Sequence, residues 1–158
     1  MKYSIAEQWI NQWQGKRIGV VGDLMLDRYV WGKATRISPE APIPIVDVQK
    51  VTTRPGGAAN VLHNIVALGG KAHAFGVIGY DRHGHELKEV MAKSAIEVEG
   101  VLQHDSRTTT EKMRIVASNQ QVVRVDTEHK TPLSTELAEA LEARLCEAME
   151  NKTIDALI

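Results

Sequence analysis

The chain has 158 residues, 43% apolar and 25% charged, which is the balance of a soluble globular domain long enough for one real core. Its net charge of −1 excludes a general electrostatic pull toward nucleic acid or an anionic membrane surface and leaves room only for a local basic site. The single cysteine, Cys146, excludes an internal disulfide and a multi-thiolate metal site, and it fits a reducing compartment, so a cytoplasmic location is expected.

The opening segment does not read as a signal peptide, because Glu7, Gln8, Asn11 and Gln12 interrupt any apolar run, and no later stretch is apolar for long enough to cross a bilayer. Ile5, Trp9, Ile10 and Trp13 fall on one side of a short helix, expected to pack at the edge of the domain. Lys16–Asp23, KRIGVVGD, is a compact apolar run ending in Gly-Asp and reads as a buried parallel strand. Tyr29–Lys33 and Pro42–Val51, split by the turn-forming Ser38–Pro42, read as peripheral strands with the prolines confined to a sheet edge. After Pro55-Gly56-Gly57 the apolar spacing becomes helical through Ala58, Val61, Leu62, Ile65 and Val66, and Gly69-Gly70 ends the element.

Ala72–Gly79 is a second buried strand, and Asp81 begins a helix with Leu87, Val90, Met91 and Ala95 on one face. Val98–His104, Thr110–Val116 and Val122–Asp126 read as strands. Thr131–Ser134 opens a last helix whose apolar stripe is Leu137, Leu141, Leu145 and Ala148, with Cys146 adjoining it as a packing residue. Thr153–Ile158 begins a further buried strand. Strands alternating with helices indicate an α/β layer fold, and the more polar strands outside that alternation suggest a small accessory sheet. A buried strand with no helix after it is most simply explained by truncation at the carboxyl side.

Two segments carry chemistry. Asp23 stands at the carboxyl edge of the first strand, where open α/β sheets bind ligands, and Asp27 follows four residues later. Two carboxylates there can accept charge-assisted hydrogen bonds from a polyol; equally, Asp23 can satisfy a turn. In Arg54-Pro55-Gly56-Gly57-Ala58-Ala59-Asn60 the glycines let backbone approach a ligand, and the helix start offers unpaired N–H groups beside Asn60. That arrangement suits hydroxyls or an anion, and a ligand-free tight turn would read the same. Neither Gly69-Gly70-Lys71 nor IGVVGD completes a P-loop or a dinucleotide fingerprint. His83 and His85 lack a third metal ligand.

Gly56-Gly57-Ala58-x-Asn60, followed by Gly69 and Gly79, resembles the first signature of the ribokinase/PfkB sugar kinases, with Leu62 where that signature usually has Ser, Thr or Ala. Gly79-x-Asp81-x-x-Gly84 resembles that family's turn after its next strand. The stretches GDLMLDRYVWGKATRISPEAPIPIVDV, RPGGAANV and EKMRIVASNQQVVRVD narrow the likeness to the kinase domain of bifunctional heptose 7-phosphate kinase/heptose 1-phosphate adenylyltransferases. The resemblance runs from about Arg17 onward.

It implies a ribokinase-like layered α/β/α fold whose accessory strands form a lid, with residues 1–158 as the amino-terminal part of one kinase domain. It also implies that Asp23, Asp27, Gly56, Gly57 and Asn60 contact the sugar. The family's G-A-G-D loop, which supplies the catalytic aspartate and an anion hole, is not in this sequence, and the ATP-holding residues are likewise expected beyond Ile158. ATP and Mg²⁺ are therefore expected in the complete enzyme, and no catalytic residue or resident metal in this chain. The implied substrate is a small sugar phosphate, D-glycero-D-manno-heptose 7-phosphate, phosphorylated at its anomeric hydroxyl on the way to ADP-heptose and the lipopolysaccharide core.

A phosphate dianion needs cations. Lys112, Arg114 and Arg124 occur at alternating spacing on strands, with Arg28 and Arg36 near the lid; a phosphate role and a solvated charged face both fit. The alternative function, on the same fold, is a non-catalytic fragment that binds sugar or forms a homodimer through the lid.

Overall fold

The computed structural model describes residues 2–158. Four helices and eight strands follow in the order α1 (Lys2–Trp13), β1 (Arg17–Val21), β2 (Leu24–Ile37), β3 (Pro44–Gly57), α2 (Ala58–Ala67), β4 (Lys71–Gly79), α3 (Arg82–Lys93), β5 (Ile96–His104), β6 (Thr110–Ala117), β7 (Gln120–Thr127), α4 (Thr135–Glu150) and β8 (Ala156–Leu157). They form two sheets, ordered β5-β4-β1-β8 and β3-β2-β6-β7.

The first sheet is parallel throughout, and its central strands β1 and β4 are buried and rich in Val, Ile, Ala and Gly, whereas edge strand β5 alternates apolar residues with Glu97 and Glu99. On one face Leu62 and Ile65 of α2 and Leu87 and Met91 of α3 pack against Ile18, Val20, Ala72, Ala74 and Ile78. On the other, Leu141 and Ala148 of α4 close over Phe75 and Ile154. The result is the expected α/β/α layering. Leu62 is fully buried in this core, so the large side chain at the variant signature position is accommodated by packing. Crowding explains some of the glycines: a Cβ at Gly100 would stand 2.5 Å from the Phe75 ring.

The second sheet is the accessory layer. β2 and β3 pair antiparallel over their whole lengths, β6 joins β2 in parallel, and β7 returns antiparallel to β6. These strands are longer than the sequence suggested, Leu24–Ile37 against Tyr29–Lys33 and Pro44–Gly57 against Pro42–Val51. Pro44 and Pro55 sit in β3, an edge strand, where a missing N–H costs no ladder bond.

Three expectations are corrected. The helix at the amino terminus forms, but Ile5, Trp9, Ile10 and Trp13 are exposed rather than packed. Cys146 is exposed on α4 instead of joining its apolar stripe. The strand expected over Thr153–Ile158 shrinks to Ala156–Leu157 at the sheet edge, where Ile154 is buried but Leu157 and Ile158 are exposed. Asp155 fastens this segment to β1, its carboxylate accepting from the Arg17 backbone N–H at 2.9 Å and from the guanidinium Nε at 3.2 Å. The Arg17 bonds hold the Asp155 carboxyl well below the usual carboxylate range.

Candidate functional site

The chain turns from β1 into β2 at Gly22-Asp23. Gly22 donates to the Phe75 carbonyl at 3.2 Å, and a Cβ at Gly76 would lie 2.7 Å from the Gly22 carbonyl, so the loop lies directly on β4. The Asp23 carbonyl accepts from the Ala58 N–H, the first residue of α2, at 3.0 Å. Gly57 makes that approach possible: its φ is +56°, and a Cβ there would stand 2.5 Å from the Asp23 carbonyl oxygen. Gly56 plays the same part for Asp27, whose Oδ2 lies 2.7 Å from where a Gly56 Cβ would be. Asp23, Asp27, Gly56 and Gly57 are thus one constellation at the carboxyl edge of the parallel sheet. Asn60 follows in the first turn of α2, exposed.

Beside this edge lies a cleft of about 560 Å³. Asp23 lines it, with Met25 and Thr110 from the lid, Arg107 and Thr108 from the β5–β6 loop, and the segment from Glu128 to Leu133. The Asp23 side chain is exposed to the cleft and hydrogen-bonds to no side chain or backbone group among the described residues. Of the ligand-binding residues expected from the sequence, it alone lines the cleft. The lining side chains of Arg107, Thr108, Thr110 and Lys130 were missed, because they sit in loops or at strand starts with neither periodicity nor motif. Arg107 also braces the far wall, donating to the Thr131 carbonyl at 2.8 Å.

The Gly79-x-Asp81-x-x-Gly84 motif positions that loop. Asp81 caps α3 by accepting from Gly84 N–H at 2.7 Å, and its other oxygen accepts from Thr109 N–H at 2.9 Å. The buried Thr109 hydroxyl accepts in turn from Gly79 N–H at 2.9 Å. Burial raises the Asp81 carboxyl's pKa, but the bonds from Thr109 and Gly84 outweigh it and leave the group below its ordinary value. The motif therefore builds the shelf carrying Arg107 and Thr108.

From the cleft one face of the lid continues outward. Residues in register share a face: Met25 with Thr110 and Gly56, Asp27 with Lys112 and Arg54, Tyr29 with Arg114. Lys112 and Arg114 do share a face, with Arg124 opposite Arg114 on β7. All three are ion-paired. Arg114 bonds Asp27 at 2.5 Å, Lys112 bonds Asp126 at 3.2 Å and approaches Glu128 at 3.7 Å, and Arg124 grips Asp126 at 2.8 and 3.0 Å. Burial raises the Asp126 carboxyl, yet the bonds from Arg124 and Lys112 together bring it below the usual range; Lys130, then Lys112, does the same for Glu128.

Arg28 points to the opposite face. Its guanidinium bonds Glu111 at 2.5 Å and Glu86 of α3 at 2.6 Å, with His83 3.9 Å from Glu111. This network roots the lid on α3, so Arg28 serves structure, while Arg36 lies far along β2, exposed.

Residues 16–155 match the family model described as pfkB family carbohydrate kinase, nearly the whole chain. The chain belongs to this family. Among curated proteins, pfkB relatives include the bifunctional protein HldE of Wolinella succinogenes, 47% identical over 136 residues, and that of Geobacter sulfurreducens, 50% identical over 111. These alignments cover 82% and 70% of this chain but only 29% and 23% of the relatives, so the chain spans less than a third of the proteins it resembles. Among solved structures, phosphofructokinase-2 from Escherichia coli superposes with a TM-score of 0.64 at 21% identity, over 84% of this chain and 41% of that one. A carbohydrate kinase from Agrobacterium tumefaciens gives 0.57 at 21% identity, over 71% and 35%. These two confirm the ribokinase-like pfkB fold.

Proposed function

We propose that this chain is the acceptor-binding, amino-terminal part of a cytoplasmic kinase domain that transfers the γ-phosphate of ATP to the anomeric hydroxyl of D-glycero-D-manno-heptose 7-phosphate. The observation that carries the reading is the 47% identity to a bifunctional HldE protein across 82% of the chain. In this reading the sugar lies in the cleft with its hydroxyls donating to the Asp23 carboxylate. The glycine turn lets it approach the start of α2, where Asn60 supplies a further donor and acceptor. The lid's charged face covers it and excludes water.

The proposal assigns ATP, magnesium and the catalytic base to residues outside this chain. The sequence has no G-A-G-D loop, and among the described residues no group of three or more His, Cys, Asp or Glu is placed to hold a metal ion. Among those residues no helix is long and apolar enough to cross a membrane. The proposal also includes a homodimer through the lid. Val51, Val30, Ile115 and Val123 form an apolar row across all four lid strands, on the face opposite Asp27, and Val51 and Val123 are 50% and 45% exposed.

The test is a kinase assay with ATP, magnesium and heptose 7-phosphate on both this chain and the longer protein that contains it. Activity in the longer protein and none in the chain is the expected pair. Turnover by the chain above a buffer control would refute the division of labour, and none by the longer protein would refute the substrate.

A further inference from the structure

On the charged face of the lid Lys112, Arg114 and Arg124 are held by carboxylates at 2.5–3.2 Å. Two further cations of that face on β3, Arg54 and Lys50, pair with no carboxylate among the described residues, and Arg54 is the one nearer the glycine turn, Lys50 lying four residues farther out opposite Trp31. Arg54 stands opposite Asp27 in the β2–β3 register and so shares the face, yet Asp27 is taken by Arg114. It is exposed, and its guanidinium lies 5.9 Å from the centroid of the Tyr29 ring, which Arg114 also approaches, at 5.3 Å. Two guanidinium groups on one ring beside one carboxylate leave a positive charge uncompensated, and a desolvating ring face strengthens its pull on an anion. The backbone beneath is fixed, because Arg54 precedes a proline and is paired within β3.

We propose that Arg54 is the specificity-determining residue for the anionic end of the acceptor, binding a phosphate monoester through its planar fork with Arg114 as the neighbouring donor. The inference rests on the sugar-phosphate reading above and names the residue that reads the phosphate. A phosphate reaching Lys112, Arg114 or Arg124 must first compete with a carboxylate already bonded there, whereas Arg54 has nothing to surrender. The placement fits as well. Three residue steps along β3, about 10 Å, take the strand from Arg54 to Gly57 and the Asp23 contact, a span that a phosphorylated six- or seven-carbon sugar can bridge.

The experiment measures, by calorimetry on the longer protein, the Kd for heptose 7-phosphate and for unphosphorylated heptose in the wild type, Arg54→Gln and Arg54→Lys. Arg54→Gln is expected to weaken the phosphorylated sugar about 10- to 100-fold more than the unphosphorylated one. Arg54→Lys should fall between, keeping the charge and losing the fork. Equal weakening of both sugars, or no weakening, overturns the proposal. The underlying reading fails separately: a wild type that binds neither sugar refutes the heptose assignment, and inorganic phosphate then becomes the probe. Phosphate binding that Arg54→Gln abolishes upholds the anion site without the heptose. Phosphate that binds both proteins alike, or neither, overturns it.

Discussion

Glu111→Gln tests how the lid is anchored. Glu111 is 3% exposed, its carboxylate takes Arg28 at 2.5 Å, and Arg28 reaches Glu86 at 2.6 Å, so one network joins β2, β6 and α3. The amide keeps the shape and removes the charge. Breaking a buried pair from one side costs about 3–5 kcal/mol when the surviving charge is left unpaired. Here Arg28 retains Glu86 and its side chain is 17% exposed, which places the cost nearer ~2 kcal/mol. For a protein of this size ~1 kcal/mol moves the melting temperature by about 2–4 °C, so thermal unfolding of this chain should begin about 4–8 °C lower. Limited proteolysis should cut first in the lid strands, because their root has been loosened. The double change Arg28→Met, Glu111→Leu should recover most of the loss by replacing the pair with apolar groups of similar volume. A Glu111→Gln protein that melts with the wild type would refute the anchoring role.

Gly57→Ala should impair the acceptor site: φ is +56°, and the new methyl would stand 2.5 Å from the Asp23 carbonyl. Left-handed backbone alone costs an alanine about 1–2 kcal/mol, so the sugar KM should rise while the ATP KM holds, and steady-state kinetics with each substrate varied checks this. Acid should act through Asp81. Its pKa is lowered on folding, so its contribution is fully present above the ordinary value of 3.8 and is lost as the pH falls through the lower, folded value. Asp81→Asn should flatten the acid limb of a melting-temperature profile; an unchanged limb would place the loss elsewhere.

Much of the architecture was legible because its determinants are local. The buried strands are short apolar runs, α2 begins at a glycine turn, and α3 and α4 start on the caps Asp81 and Ser134, which accept from the N–H groups of Gly84 and Leu137. What was missed depends on distant partners. The lid strands read short because Asp27, Arg28 and Arg36 interrupt an apolar pattern, yet Arg28 is satisfied by residues 58 and 83 positions away and the strand runs through. Likewise Arg107 became part of the cleft only once the Asp81–Thr109 bond, 28 positions long, had folded its loop onto the sheet edge. The three lid cations were recognised as a group, but their carboxylates, and the placement of Arg54 opposite an aspartate already taken, emerge only from the strand register and its ion pairs.

Asp23 and Asp27 look equivalent in the sequence and should behave differently when mutated. The Asp23 side chain hydrogen-bonds to no protein group among the described residues and faces the cleft, whereas Asp27 is bonded to Arg114. Asp23→Asn in the longer protein therefore deprives no protein group of a partner, and its melting temperature should match the wild type. Its cost should appear in binding: a hydrogen bond to a charged acceptor contributes about 1.5–3 kcal/mol, so the sugar KM should rise about 10- to 100-fold with ATP binding unaffected. Asp27→Asn releases Arg114 from its carboxylate beside Tyr29 and Arg54, which adds positive charge to the lid face. It should lower stability and at the same time strengthen attraction for the anionic end of a phosphorylated sugar. Measuring both variants by thermal unfolding and by KM for phosphorylated and unphosphorylated heptose separates the two roles. A common loss of stability, or a common loss of affinity for both sugars, would mean that the two aspartates do the same job and that the division between a hydroxyl-binding Asp23 and a charge-balancing Asp27 is wrong.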